Sequence, residues 1–214
     1  MPFNKKHPRC SECPYFNQPF VPSEGPLDAQ LMLVGDSPWR EEAERKRPFV
    51  GASGILLDSV LEATGLERSE VYITNTVHCQ PPALGMQHPD GVVALCTELY
   101  LHEEIKRVKP KLIMPLGGVA IKPLGIRQKI TAARGVLKSL TVDTQTYSLL
   151  PTYHPSYINR SPAYSPYFVK DFGMAKYFLD NGHMPSPNSD LNYRSVTKTE
   201  HLEEFFEEFD KAKY

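Results

Sequence analysis

Cysteine is scarce in this chain, and several other absences narrow its class. Only four of the 214 residues are cysteine and one is tryptophan. No apolar run approaches the roughly 18–20 residues that span a bilayer, so no membrane partner is expected. Met-Pro-Phe-Asn-Lys-Lys at the N-terminus lacks the apolar stretch of a secretory signal, which points to a cytoplasmic setting. Positive charge is not in excess: 24 Lys and Arg stand against 25 Asp and Glu, a net of -1. That argues against a general polyanion binder, although a basic stripe can hide in a balanced total, so composition neither supports nor excludes DNA. No internal repeat or low-complexity segment stands out. What is present is a hydrophobic share of 41%, enough to bury one good core, and twenty prolines, which imply many rigid loops.

The four cysteines, Cys10, Cys13, Cys79 and Cys96, are separated by two, sixty-five and sixteen residues. The first pair shares a tight turn closed by Pro14, and Cys79 precedes Pro81 and Pro82, so both segments offer bent backbone that gathers thiolates. Disulfides are rare in the cytosol and fit poorly. Structural zinc usually uses two CxxC knuckles, and only one pair here has that spacing. Ordinary burial would explain Cys79 and Cys96 singly but not the Cys-Ser-Glu-Cys-Pro turn. Spacing alone leaves iron–sulfur and zinc both open.

Apolar runs at Leu31–Asp36, Val71–Val77, Lys111–Leu116 and Tyr147–Leu150 read as strands. Helical periodicity marks Gly54–Glu62, Leu99–Val108 and Tyr167–Leu179. Strands alternating with helices imply a three-layer α/β/α fold around a mostly parallel sheet of four strands. Ligands then sit at the carboxyl ends of the strands, in the loops that start at Gly35, Asn75, Gly117 and Pro151.

Those loops carry Gly35-Asp36-Ser37-Pro38-Trp39, Arg47-Pro48-Phe49-Val50-Gly51-Ala52-Ser53-Gly54, Val71-Tyr72-Ile73-Thr74-Asn75 running into Cys79-Gln80-Pro81-Pro82, and Pro151-Thr152-Tyr153-His154-Pro155-Ser156. Together they resemble the uracil-DNA glycosylase superfamily, and most closely its iron–sulfur family 4. The likeness covers roughly residues 8–182 and includes Leu116-Gly117, Ala120 and Arg134-Gly135. It implies that fold, a monofunctional glycosylase that removes uracil from DNA, a structural [4Fe–4S] cluster on Cys10, Cys13, Cys79 and Cys96 with zinc as the remote alternative, and a monomer from a prokaryotic or phage-infected cell.

The chemistry explains why such residues are wanted. Cutting the base from its sugar requires the nucleotide to leave the stack and enter a pocket that reads its edge. Phe49 offers a flat apolar face; its bland reading is a core aromatic. Asn75, otherwise a turn cap, has one amide donor and one acceptor, which suit O4 and N3–H of uracil and mismatch cytosine. His154, otherwise a structural loop residue, can donate to O2, where negative charge gathers as the base departs. By the resemblance Gly35 and Ser37 line the substrate pocket, while Asp36 orients the attacking water at a position where the family usually has Glu. Glu42 matches a second family acid, although Glu41 and Glu44 flank it and a solvated charge run is the plain alternative. Trp39 stands where family 4 usually has Gly. A more distant branch has Tyr there, fencing out the thymine methyl, so Trp39 either does the same or crowds the pocket. Ser156, Tyr157, Ile158 and Arg160 are expected to contact DNA, with Tyr157-Ile158 as a wedge.

Residues 1–184 are expected to form this domain. The segment 185–214 reads as a linker and an amphipathic helix, with Thr197 and Glu200 as a capping box and Leu202, Phe205, Phe206 and Phe209 as an apolar stripe. Tyr193-Arg194-Ser195-Val196-Thr197 resembles the opening of a family A polymerase exonuclease domain. A second class of function follows: a weakly active or inactive uracil- or DNA-binding module in front of a covalently attached phage polymerase.

Overall fold

The computed structural model describes residues 6–83 and 85–185; the expected tail helix lies outside the described residues. Five strands form the central sheet: β1 (Leu31–Gly35), β2 (Val71–Asn75), β3 (Leu112–Pro115), β4 (Lys138–Val142) and β5 (Gln145–Leu149). Their spatial order is β2-β1-β3-β5-β4, with every pair parallel except β4 with β5. The expected count of four is therefore corrected to five. The missed strand, Lys138-Ser139-Leu140-Thr141-Val142, alternates polar and apolar residues at an edge and never forms an apolar run. A two-residue turn through Asp143, at φ 52, joins it to β5.

The inner strands are apolar throughout because both faces are covered. Leu31 and Leu33 of β1 face a layer with Leu56, Leu57, Phe168 and Phe172. These belong to α2 (Ala52–Ala63) and α8 (Ser165–Asn181). Met32 and Val34 face the opposite layer with Leu101, Ile105 and Ile121. That side is built by α4 (His102–Val108) and α5 (Gly117–Ile121), and α3 (Asp90–Cys96) leads into α4 through one π-helical stretch, Thr97–Leu101. Short helices α1 (Arg40–Arg45), α6 (Ile130–Ala133) and α7 (Pro155–Arg160) sit in the connections. The fold is the α/β class that alternation implied. No helix among the described residues is long and apolar enough to cross a membrane.

A third, smaller core gathers Cys10, Cys79 and Cys96 with Tyr15, Val77, Val92, Leu99 and Tyr100, and Cys13 packs against it. It ties the N-terminal turn to α3 and the π-helical stretch that follows it, beside the end of β2.

Candidate active site

Gly35 and Asn75 are register partners at the ends of β1 and β2, and Leu116 after β3 bridges to Thr152. Three crossovers therefore deliver loops to one rim of the sheet. A cavity of about 350 Å³ opens there, and it is lined by Asp36, Ser37, Trp39, Glu42, Phe49, Asn75, His154, Ser156 and Arg160. Residues from four separated segments converge as the sequence reading required. A larger cavity of about 610 Å³ lies between α3 and α5, but of the residues at the strand ends it reaches only the loop through His88.

Phe49 is held from both sides. Its backbone is left-handed at φ 50, an unusual state for a bulky residue. Glu42 Oε1 accepts from the amides of Val50 (3.1 Å) and Gly51 (3.0 Å), and Oε2 accepts from Trp39 N (3.0 Å). Arg68 donates to the carbonyls of Pro48 (2.8 Å) and Phe49 (3.1 Å) and is itself paired with Glu24 and Asp58. Glu42 thus lines the cavity, but its carboxylate is engaged by the loop that carries Phe49. The Phe49 ring lies against Gly35, where an added Cβ would stand 2.6 Å from the ring and 2.3 Å from Asn75 Oδ1. Only glycine admits that approach.

Asn75 is 3% exposed, and no hydrogen bond to its side-chain amide exists among the described residues. His154 is the N-cap of α7. Its Nδ1 accepts from Ser156 N (3.1 Å) and lies 2.8 Å from Ser156 Oγ, so the ring's proton sits on Nε2, toward the cavity. Burial pushes its pKa down to about 4, with Asp36 opposing the shift and Arg160 adding to it. At neutral pH the ring is an uncharged donor. Its centroid is 5.8 Å from that of Phe49.

Asp36 is fixed by a residue the sequence reading missed: His88 Nε2 donates to Asp36 Oδ1 at 2.8 Å. Ser53 and Pro81, from two of the strand-end segments, also line the cavity, as does Met86, which the sequence reading missed. The loop after Cys79-Gln80-Pro81-Pro82 has no periodicity, so only its closeness to Asn75 in sequence could have flagged it.

The DNA-facing set divides. Arg160 is exposed at the cavity rim. The Ser156 hydroxyl is occupied in orienting His154. Tyr157 is part of an aromatic stack with Tyr153 and Tyr164, at centroid distances of 5.1 and 5.3 Å. Ile158 corrects the wedge expectation: it is 1% exposed, one turn after Pro155 on the buried face of α7, and packs into the core.

All four cysteines line one enclosed cavity with Tyr15, Phe20, His78 and Tyr100. Tyr100 Oη is 3.1 Å from Cys10 Sγ, and Tyr15 N donates to Cys13 Sγ at 3.4 Å. Burial pushes the thiols of Cys79 and Cys96 up, to about 11 and about 12. Thiolates in such a place need a cationic partner. No group of three or more His, Cys, Asp or Glu among the described residues is spaced for a single metal ion.

A doubly covered, mostly parallel sheet, with a flat aromatic, an unclaimed amide and a neutral imidazole around one cavity at its strand ends, defines an α/β protein with a pocket that is both apolar and hydrogen-bonding. Sequence comparison makes this specific. The chain belongs to the uracil DNA glycosylase superfamily, whose family model matches residues 22–173. It is similar to the type-4 uracil-DNA glycosylase of Pyrobaculum aerophilum, 36% identical over 77% of this chain and 87% of that protein. The type-4 enzyme of Thermotoga maritima is 35% identical over 80% of this chain and 90% of its own length. The DNA polymerase of Bacillus phage SP01 is 27% identical over 77% of this chain but only 17% of the polymerase.

Proposed function

We propose that this protein hydrolyses the bond between uracil and deoxyribose in DNA. The observation that carries the reading is the Asn75 amide, buried and unclaimed, in one cavity with the Phe49 ring and the His154 donor. The amide lines the cavity with no protein partner among the described residues, so a ligand with a matching donor and acceptor can complete it. Uracil does so: Asn75 donates to O4 and accepts from N3–H, while cytosine presents the reverse polarity. Phe49 stacks on the base. As the C1′–N1 bond breaks, its electron pair spreads onto N1 and O2, and the Nε2–H of His154 stabilises the charge at O2. A neutral donor serves here, because Nδ1 must stay unprotonated to accept from Ser156. Asp36 orients the water that adds to C1′ and offsets the positive charge on the sugar. Trp39 at the cavity wall narrows the space for a C5 methyl.

Cys10, Cys13, Cys79 and Cys96 would hold a [4Fe–4S] cluster, which supplies a structural tie and no chemistry to the reaction. Arg160 and Tyr157 are assigned to the DNA strand on either side of the flipped nucleotide.

The phage polymerase match favours a second reading, in which the domain senses uracil ahead of a polymerase and cuts slowly. One assay separates the two. Single- and double-stranded oligonucleotides with one uracil are incubated with protein and then treated with alkali, which breaks abasic sites. Strand cleavage at the uracil is expected. Cleavage no greater than that of the Asp36→Ala, His154→Ala double variant would overturn the glycosylase reading, and binding without cleavage would favour the sensor.

A further inference from the structure

The residue that fixes Asp36 belongs to the segment that leads from one cysteine to the next. His88 lies between Cys79 and Cys96, its side chain 3% exposed. Nε2 is 2.8 Å from Asp36 Oδ1 and Nδ1 is 3.3 Å from the hydroxyl of Tyr15. The Tyr15 and His88 rings meet edge to face at 5.8 Å. Tyr15 is buried, and its amide donates to Cys13 Sγ. An unbroken line of contacts therefore runs from the Cys10–Cys13 turn through two rings to the carboxylate.

We propose that His88 is a positioning residue for the hydrolytic step, fixed in its working tautomer by Tyr15. The inference rests on the glycosylase reading of Asp36. A carboxylate accepts but never donates, so the nitrogen facing Asp36 carries the proton. In the neutral ring the other nitrogen then accepts from the Tyr15 hydroxyl. Aspartate's terminal torsion is broad and roughly two-fold, which leaves an untethered carboxylate free to turn. Holding Oδ1 through a buried ring fixes the carboxylate plane and leaves Oδ2, which has no partner among the described residues, for the water. The metal-site analogue is the carboxylate that orients a ligating histidine; here the histidine orients the carboxylate. The cysteine turn thereby sets reaction geometry with no change of oxidation state.

His88→Ala should lower kcat on a single-uracil oligonucleotide by about 10- to 100-fold, the usual cost of losing an orienting partner, and leave KM within about threefold. His88→Gln, which keeps an N–H near the Nε2 position, should recover most of the loss, and Tyr15→Phe should lose less than His88→Ala. Full kcat in His88→Ala would overturn the proposal, as would equal losses in the Ala and Gln variants, which would indicate packing alone. A readout without turnover keeps the two inferences apart: in protein labelled with 15N-histidine, the His88 ring should give the Nε2–H pattern and change in Asp36→Ala and in Tyr15→Phe. If wild type releases no uracil while that pattern and its changes hold, the glycosylase reading fails and takes the hydrolytic role of His88 with it, while the Tyr15–His88–Asp36 tether itself stands. A His88 ring indifferent to both substitutions sinks the tether and the proposal with it.

Discussion

Thr74 and Asn75 are consecutive residues of β2, both buried, and they point to opposite faces of the sheet. The Thr74 hydroxyl donates to Glu104 Oε2 at 2.6 Å and receives Ser23 Oγ at 2.9 Å. Glu104, wholly buried, also accepts from Ser23 and, at 3.4 Å, from Tyr72. Burial and the Glu104 charge push the Tyr72 phenol up, which keeps it a donor. Asn75, one step along, has no such company. Identical depth thus yields two kinds of polar site: one closed on itself, which holds α4 to the sheet, and one left open, which waits for a ligand. Satisfaction of hydrogen bonds separates structure from function here, and burial does not.

The sharpest way to break this contrast is at its closed end. Glu104→Ala orphans the buried hydroxyl donors of Thr74 and Tyr72, at about 1–3 kcal/mol each if neither rearranges, while Ser23 keeps Thr74 as its acceptor, so urea unfolding should show a loss of about 2–5 kcal/mol with activity per folded molecule retained. A loss under about 1 kcal/mol would mean that the network is ornamental. At the open end the signs reverse. His154→Ala should lower kcat by about 10²–10³-fold, as removal of one anion-stabilising donor does, while the unfolding midpoint stays close to wild type. A variant that loses stability and activity together would erase the distinction. The smallest effect is in pH. The folded His154 ring titrates near 4, below the 6.5 of an ordinary histidine. Between those values the unfolded chain binds a proton that the folded chain refuses, so this residue's contribution makes stability fall as pH drops from 6.5 toward 4. His154→Asn should flatten that part of a stability–pH curve, and an unchanged slope would place the ring in water.

Much of this was legible in the chain because two signals agreed. Apolar runs fixed β1, β2, β3 and β5, and the residues at their carboxyl ends, Asp36, Asn75 and His154, had to converge if the sheet was parallel. Glu42 was harder, since its partners are amides at positions 39, 50 and 51, brought together only by folding. His88 lies in a stretch without periodicity, where nothing local distinguishes an orienting ring from a solvated one. Ile158 was misassigned because proximity to His154 in sequence was read as proximity to DNA, whereas a single helical turn rotates it into the core.

The left-handed backbone at Phe49 restricts what mutation can offer at that position. Valine or isoleucine would match the apolar surroundings, yet branching at Cβ makes φ 50 a severe outlier. Single-step variation at the base of the cavity is therefore channelled toward unbranched side chains, and a change in the stacking platform requires the Glu42 and Arg68 tethers to change with it.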